Sequence, residues 1–306
     1  MSDGMDLCGF LVLDKPTGLT SREAVNCVGS LLGRKVRVGH AGTLDPLATG
    51  VLVVAVGQAT RLIEYVQQMS KTYKATVRLG GRSDTDDSEG VVTSVNHSEM
   101  PPLEQVVAAI DRQIGTILQM PPQFSALKVA GRRAYDLARA GATVDLQPRP
   151  VRIDQIEVHS YRWPELEIEV GCGSGTYIRA IARDLGETLG CGGYLTALRR
   201  TGIGSFLVEN AVDPLKLSRE DIVKHLISPR AAVESLPTVL LDEIQVAMVR
   251  QGRVLDPSRL AGTLNQDYCR EVALLDPSGA LIAIARLEAE SGGGLAPHRV
   301  LAGPPT

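Results

Sequence analysis

Apolar and polar residues follow two kinds of pattern along the chain, and each kind predicts a type of secondary structure. Short apolar runs and period-two alternation predict strands, whereas apolar residues three and four positions apart predict amphipathic helices. Strands are predicted over residues 9–15, 51–56, 71–80, 148–163, 166–173, 202–210, 271–276, 280–288 and 298–303. Helices are predicted over residues 20–33, 59–66, 103–112, 132–141, 175–190 and 242–252, with a further helix that begins at Ser218.

The order of these elements indicates the fold class. Strands and helices are mixed without a regular β-α-β alternation, which favours an α+β fold. The 306 residues exceed the length at which one hydrophobic core stops growing, so about two domains are expected. We place the boundary near residue 237, with a large domain over residues 1–236 and a small β-rich domain over residues 237–306.

Composition and charge restrict the classes of function. No apolar run approaches the roughly 18 residues that a membrane span needs, and the first residues lack the pattern of a secretory signal. The five cysteines form no CxxC pair, which favours reduced thiols in a cytoplasmic protein. The net charge is −3, yet residues 120–154 hold six Lys or Arg and three Asp. This local basic excess is compatible with a nucleic-acid surface.

Neither a metal nor a cofactor is predicted from the sequence. The five histidines are scattered, with no HxxxH spacing and no cysteine at ligand spacing. The acidic stretch "DTDDSEG", residues 84–90, lacks the central glycine and the distal glutamate of a calcium-binding loop. We therefore interpret it as a solvated acidic turn.

A lone carboxylate stands on a glycine-rich loop, "GHAGTLDPLATG", at residues 39–50. From spacing alone, Asp45 either caps the turn at Pro46 or carries chemistry, and both interpretations stay open. A glycosidase of the usual kind needs two carboxylates. A single aspartate that acts covalently needs a cation beside it and a substrate with a good leaving group. Arg179, near the start of a predicted helix, is a candidate for that cation.

Six motifs occur in order between residues 9 and 206: "GFLVLDKPTGLTS", "GHAGTLDPLATGVL", "KTYKA", "LGGRSDTDDSEG", "PPQFSALKVAGRRAYDLARAG" and "GTYIRAIARDLGETLGCGGYLTALRRTGIGSF". This set resembles the TruB family of bacterial tRNA pseudouridine-55 synthases, and the loop GHxGxLDPxATG is its most specific part. The resemblance implies a pseudouridine synthase domain with a mixed, mainly antiparallel sheet, followed by a PUA-like RNA-binding domain. It also implies a cofactor-free isomerisation of uridine 55 in the T-loop of tRNA, after the base has been flipped out.

The resemblance assigns roles to seven residues. Asp45 takes the position of the catalytic aspartate, and Arg179 that of the arginine that pairs with it. Tyr73 takes the position of a tyrosine that stacks on the target base and is implicated in proton removal. Residues that contact the substrate or the RNA are implied at Lys15, His40, Tyr177 and Leu198. The basic region at about 123–149 corresponds to an insertion that closes over the RNA.

Two other functions stay open at this stage: a guide-RNA-dependent synthase with the same catalytic loop, and a tRNA chaperone without catalysis. The basic insertion and the lack of a long basic tail favour a stand-alone enzyme, which we expect to be a cytoplasmic monomer that needs no protein partner. Two positions depart from the family pattern. Ala41 follows the loop histidine where a polar residue is common, and we expect an effect on loop packing. "TSRE" replaces the usual Ser-Ser-Asn after DKPxG, and we expect an effect on the helix cap alone.

Overall fold

The chain folds around one large, mainly antiparallel sheet, which confirms the predicted α+β class. The computed structural model describes residues 7–95, 100–124, 145–256, 271–287 and 294–301, together with the backbone of 128–129 and 132–133. The strands are β1 Gly9–Lys15, β2 Val38–His40, β3 Thr49–Val56, β4 Lys71–Leu79, β5 Gly81–Ser83, β6 Val92–Ser94, β7 Gly115–Gln119, β8 Lys128–Val129, β9 Arg132–Arg133, β10 Arg149–Arg162, β11 Glu165–Cys172, β12 Gly193–Ile203, β13 Phe206–Leu207, β14 Thr238–Leu240, β15 Glu271–Leu275, β16 Leu281–Leu287 and β17 Leu295–Val300.

The helices are short and flank the sheet. They are α1 Ser21–Leu32, α2 Ile63–Gln68, α3 Leu103–Asp111, α4 Ile178–Thr188, α5 Arg219–His225 and α6 Glu243–Arg250. Single 3₁₀ turns cover Gly57–Leu62, Val208–Asn210 and Pro229–Val233. Capping boxes begin two of these helices, because Thr20 caps α1 with Glu23 and Ser218 caps α5 with Asp221.

The central sheet runs in the order β1-β3-β12-β4-β11-β10-β7, with β2 beside β3 and β13 beside β12. Strand β4 shows why the sequence forms this layer: its residues alternate between buried and more exposed positions over nine residues. The buried face packs against α4, whose apolar side chains point into the same core. Strands β3 and β12 pair in parallel, and the other pairs of this sheet are antiparallel.

Strand β12, which lies between β3 and β4 in the sheet, was not predicted from the sequence. Its residues include Arg199 and Arg200, and the second of these is buried. The predicted strand over 202–210 was wrong in its extent, because the chain turns at Gly204, which has φ +52°. Residues 206–207 form β13 and pair back onto Gly202 and Ile203.

The predicted basic helix over 132–141 lies outside the described residues, except that Arg132–Arg133 form β9 and pair with Lys128–Val129. The β-rich character of the C-terminal segment is confirmed by a second sheet in the order β14-β15-β16-β17. Strand β14 was not predicted, whereas α6, β15, β16 and β17 correspond to predicted elements. The domain boundary near residue 237 stays a prediction.

Candidate active site

Asp45 lies on the loop between β2 and β3, and hydrogen bonds from other parts of the chain hold its two chain neighbours. The hydroxyl of Ser21 donates to the Leu44 carbonyl at 2.9 Å and accepts the Leu44 N–H at 2.8 Å. On the other side, the Pro46 carbonyl accepts the N–H of Gly18 at 2.9 Å. Ser21, the serine that "TSRE" shares with Ser-Ser-Asn, thus fixes the residue before Asp45, whereas the departing Thr20 is the N-cap of α1.

Lys15 binds the same loop from the protein interior. Its side chain is fully buried, and its ammonium donates to the carbonyls of Pro16, Leu19 and Pro46 at 2.9, 2.7 and 3.3 Å. Burial lowers the pKa of Lys15 to about 8, while the nearby charge of Asp45 acts in the opposite direction. The amine thus connects the turn after β1 with the turn at Asp45.

Arg200, on β12, holds the other end of the loop that carries Asp45. The residue is 2% exposed, and its guanidinium donates to the Val51 carbonyl at 2.7 Å, with longer contacts to the carbonyls of Gly42 and Thr43 at 3.2 and 3.4 Å. Gly50 has φ +95°, and a Cβ there would overlap the carbonyl oxygen of Arg200. The close approach of β3 to β12 therefore requires glycine at this position.

Ala41 occupies a fully buried apolar position beside Val51 and Val53. A polar side chain at this position would need a buried hydrogen-bond partner. The departure from the family pattern is thus accommodated by apolar packing behind the loop.

Arg179, in the first turn of α4, contacts four oxygen atoms. Its Nη2 lies 2.9 Å from Oδ2 of Asp45, and its Nη1 lies 3.3 Å from Oδ2 of Asp87. The same two nitrogens donate to the carbonyls of Phe124 and Thr85, each at 2.9 Å. The side chain of Asp45 is 39% exposed and that of Asp87 is 5% exposed, so one carboxylate is open to a substrate and the other is not.

The acidic turn is not solvated as a whole, and that prediction was wrong for two of its residues. Asp87 is buried against Arg179 and also accepts the Thr85 hydroxyl at 2.6 Å. Asp86 pairs with Arg183 at 2.8 Å, and burial raises its pKa to about 6 despite the opposing charge of that arginine. Two arginines of α4, four residues apart, thus pair with two of the four acidic residues of this turn.

Five of the seven predicted residues line one cavity of about 310 Å³. They are Asp45, Tyr73, Tyr177, Arg179 and Leu198. Tyr73 reaches the cavity from β4, Leu198 from the neighbouring β12, and Tyr177 from the residue before α4. The size is at the lower end of the range for small-molecule sites, which suits a single nucleoside base with its ribose.

The other two predicted residues lie away from the lining of this cavity. Lys15 contacts the backbone of the turns, as described above. His40 ends β2 with its backbone opposite Val54, and its side chain is half-buried. Lys15 contacts the loop that carries Asp45 from the protein interior, and His40 lies directly before that loop in the chain.

Sequence reasoning missed four residues that build the site. They are Ser21, Asp87, Gln119 and Arg200. Gln119 is buried at the end of β7 and bonds to the backbone of Tyr177. All four are polar residues inside quoted motifs or next to them, but only their burial shows that they have structural partners.

The described part of the chain contains no group of three or more His, Cys, Asp or Glu side chains placed to hold a metal ion. None of the described helices is long and apolar enough to cross a membrane. The thiols of Cys27, Cys172 and Cys191 are free, and burial raises the pKa of Cys172 to about 11.

Comparison with known proteins gives the family. Residues 30–178 match the N-terminal domain of the TruB family pseudouridylate synthases, and residues 179–232 match the C-terminal domain of tRNA pseudouridylate synthase B. The chain is 42% identical over 305 residues to tRNA pseudouridine synthase B of an Arthrobacter species, covering 97% of each chain. It is 42% identical over 285 residues to the protein of that name from Thermobifida fusca, covering 90% of this chain and 94% of the relative.

A solved structure shares the fold as well. It is the crystal structure of a Cbf5-Nop10-Gar1 complex, with a TM-score of 0.72 and 27% sequence identity. The similarity covers 96% of this chain and 84% of the matched chain. The two domain matches and the relatives of almost equal length indicate the same family, and the Asp45–Arg179 pair is consistent with it. The chain belongs to the TruB family of pseudouridylate synthases.

Proposed function

We propose that the protein is a stand-alone enzyme that converts uridine to pseudouridine at position 55 in the T-loop of tRNA. The observation that carries the proposal is the accessible carboxylate of Asp45, the one acidic side chain in the described lining of the cavity, held 2.9 Å from the buried guanidinium of Arg179 beside Tyr73. The name tRNA pseudouridine synthase B, given to relatives that align with almost the whole chain, supports tRNA as the substrate.

The reaction explains why one carboxylate is sufficient. The N1–C1′ bond of uridine breaks, the base rotates, and a new bond forms through C5. Uracil leaves as a resonance-stabilised anion, so no second carboxylic acid is needed to protonate it. Asp45 either attacks the ribose C1′ or the base C6, or removes a proton from C2′ to give a glycal. In each case the ion pair with Arg179 orients the carboxylate of Asp45, whose oxygen attacks carbon or removes the proton.

Tyr73 provides an aromatic face for the flipped base. Burial raises the pKa of its hydroxyl, so the phenol is protonated at neutral pH, while the charge of Arg200 acts in the opposite direction. Stacking of a base on an aromatic ring contributes about 1–3 kcal/mol, which offsets part of the few kcal/mol that base flipping costs. Removal of the C5 proton by Tyr73 would require the phenolate, the form that Arg200 favours.

Cationic side chains around the cavity suit a polyanion. Arg149 and Lys71 line the cavity together with Arg179 and Arg200. The guanidinium of Arg149 lies over the ring of Tyr177, 5.0 Å from its centroid, a distance typical of cation–π contacts. We assign a phosphate contact to Arg149, the one of these four cations that is not buried, and the apolar wall of the uridine pocket to Leu198 and Tyr177.

The remaining assignments concern the surroundings of the cavity. His40 is proposed to contact the flipped-out T-loop next to the catalytic loop, and Lys15 to hold that loop through its carbonyl contacts. The region at about 123–149 is proposed to close over the RNA, and residues 237–306 to form a PUA-like RNA-binding module. We further propose a monomer that needs no protein partner and that works in the cytoplasm, where free thiols such as Cys172 persist.

An assay without guide RNA tests this function against the guide-RNA-dependent alternative. We test that alternative because the chain shares its fold with the chain matched in the Cbf5 complex. Purified protein is incubated with an unmodified tRNA transcript, without guide RNA, and pseudouridine is quantified. We expect modification of the transcript and none in a matched transcript with cytidine at position 55. Modification that requires an added guide RNA would contradict the proposal.

A further inference from the structure

The first turn of α4 is held by a side chain from the edge of the central sheet. Gln119 ends β7 and is 1% exposed. Its Oε1 accepts the N–H of Tyr177 at 2.9 Å, and its Nε2 donates to the carbonyl of Tyr177 at 3.1 Å. Tyr177 is the N-cap residue of α4 and has no side-chain capping hydrogen bond. Gln119 therefore donates one hydrogen bond to the backbone at the helix start and accepts one from it, as the backbone of a neighbouring strand would.

Two residues of the cavity depend on the position of this turn. Tyr177 presents its ring to the cavity, and Arg179 follows two residues later and reaches Asp45. A shift of the helix start changes the position of both side chains, because they are rigidly joined to the same turn. Misplacement by about 1 Å in an active site lowers rates by as much as about 100-fold.

The segment after Gln119 contacts α4 at two further points. The carbonyl of Met120 accepts Nη2 of Arg183 at 2.8 Å. The carbonyl of Phe124 accepts Nη2 of Arg179 at 2.9 Å, the same nitrogen that lies against Asp45. Residues 119–124 thus hold α4 along one side, and Gln119 supplies the contact nearest to the start of the helix.

We propose that Gln119 is a positioning residue for pseudouridine formation. Its side-chain amide sets the place and direction of the first turn of α4, and so keeps Tyr177 at the cavity and Arg179 against Asp45. It acts through the backbone of Tyr177 and does not touch the base. The inference rests on the proposed function of the site, and it adds a residue outside the cavity lining to the groups that set the rate.

The chain offers a matched control for a test. Gln113 is also buried, and its Nε2 donates to the carbonyl of Ile181 in the same helix at 3.3 Å. Gln119→Leu and Gln113→Leu each remove one buried amide that bonds to the backbone at α4, but only the first amide bonds to Tyr177, two residues before Arg179. Gln119→Glu keeps the acceptor for the Tyr177 N–H and loses the donor to its carbonyl.

The measurements are the single-turnover rate at saturating enzyme on an unmodified tRNA transcript, the Kd for that transcript, and Tm. We expect Gln119→Leu to lower the rate about 10- to 100-fold with Kd within about threefold of wild type. Gln119→Glu should give an intermediate rate, and it decides the question if the leucine variant does not fold. Gln113→Leu should lower Tm to a similar extent and leave the rate within about twofold.

Three results would overturn the inference. The first is a wild-type rate in both Gln119 variants, and the second is a rate loss that Gln113→Leu shares at the same loss of Tm. The third is a wild-type enzyme that forms no pseudouridine, which would remove the proposed function and this inference with it. The first two leave the proposed function standing, so the two failures are distinguishable.

Discussion

Arg179 contacts two carboxylates that differ in their access to solvent. Asp87 is buried beside the guanidinium, whereas Asp45 is more than one-third exposed and faces the cavity. A buried guanidinium without a nearby negative charge is costly, and Asp87 provides that charge whether or not Asp45 is engaged with substrate. Asp87 therefore keeps Arg179 in place and leaves Asp45 free for the role proposed above.

Replacing Asp87 with asparagine tests this division of roles. Asp87→Asn preserves the size of the side chain and an acceptor, but it leaves the buried Arg179 with one carboxylate instead of two. We expect the free energy of unfolding to fall by about 1–3 kcal/mol, and kcat to fall by about tenfold or more. Urea denaturation and a steady-state assay on tRNA transcript measure the two effects.

Asp84→Asn is the control within the same turn, because Asp84 is exposed and accepts the Val91 N–H at 2.8 Å. It should keep both stability and kcat close to wild type. Equal effects of the two substitutions would show that stability and kcat depend on the conformation of the turn, and not on the negative charge that Asp87 places beside Arg179.

The burial of Lys15 predicts a pH dependence of stability. Its folded pKa is lowered to about 8 from 10.5, so between these values the unfolded chain binds more protons than the folded chain. Stability therefore rises with pH across this window, by up to about 3 kcal/mol from this group. The difference in free energy of unfolding between wild type and Lys15→Met should increase from pH 8 to pH 10.5 in urea titrations. A difference that stays constant over that range would contradict the assignment.

Among the elements, the end of β1, the start of α1 and β12 hold the loop that carries Asp45. Ser21 bonds to both backbone groups of Leu44, Lys15 to the Pro46 carbonyl, and Arg200 to carbonyls on both sides of the loop. Three separate parts of the chain thus fix one turn, which explains how a glycine-rich loop presents a carboxylate in a defined direction.

Ser21→Ala and Thr20→Ala separate the loop contact from the helix cap. Thr20→Ala removes the N-cap of α1 and should cost about 1 kcal/mol of stability with kcat unchanged. Ser21→Ala leaves both backbone groups of Leu44 without this partner, so we expect a loss of about 1–3 kcal/mol and a kcat lower by about tenfold. Thermal denaturation and the tRNA assay check both variants. A full kcat in Ser21→Ala would show that the loop holds its shape without this contact.

The sequence predicted the elements whose pattern is local. Strand β4 alternates along its length, β3 is a continuous apolar run, and α1 and α5 carry capping boxes. Strand β12 was missed because it buries Arg200, whose partners are the carbonyls of a loop about 150 residues earlier in the chain. A local pattern cannot show that a charged residue will find such partners.

The site residues that were predicted also differ from those that were missed or misread in how local their sequence signal is. Asp45, Tyr73, Arg179, Tyr177 and Leu198 were found from motifs, and the structure places them at one cavity. The motif that contains Asp87 was found too, but its interpretation as solvated failed, since its neighbour Arg179 lies far away along the chain. Contacts between distant segments had to be observed in three dimensions.

At the scale of the whole molecule, the two sheets share an apolar cluster. Leu275, Leu281 and Ile284 of the C-terminal sheet pack with Phe10 and Phe206 of the large one. Polar contacts lie beside this cluster: the Tyr65 hydroxyl donates to Glu271 at 2.8 Å, and Arg299 pairs with Glu64 at 2.8 Å. We therefore expect the two sheets to unfold together.

Ile284→Ala tests this coupling through the single tryptophan, Trp163, which packs against the core of the large sheet. Ile284 is fully buried, and the substitution should lower stability by about 2–5 kcal/mol. Because the sheets share a core, the fluorescence transition of Trp163 in urea should move to lower concentration together with the circular dichroism transition. An unchanged tryptophan transition would show that the sheets unfold independently.

The central claim is that Asp45, held by Arg179, isomerises one uridine of tRNA. The most direct measurement is mass-spectrometric mapping of pseudouridine in an unmodified tRNA transcript after incubation with wild type or Asp45→Asn, with transcript binding measured in parallel. We expect pseudouridine at position 55 with wild type, and none with Asp45→Asn although the variant still binds the transcript. Pseudouridine formed at the wild-type level by Asp45→Asn would contradict it.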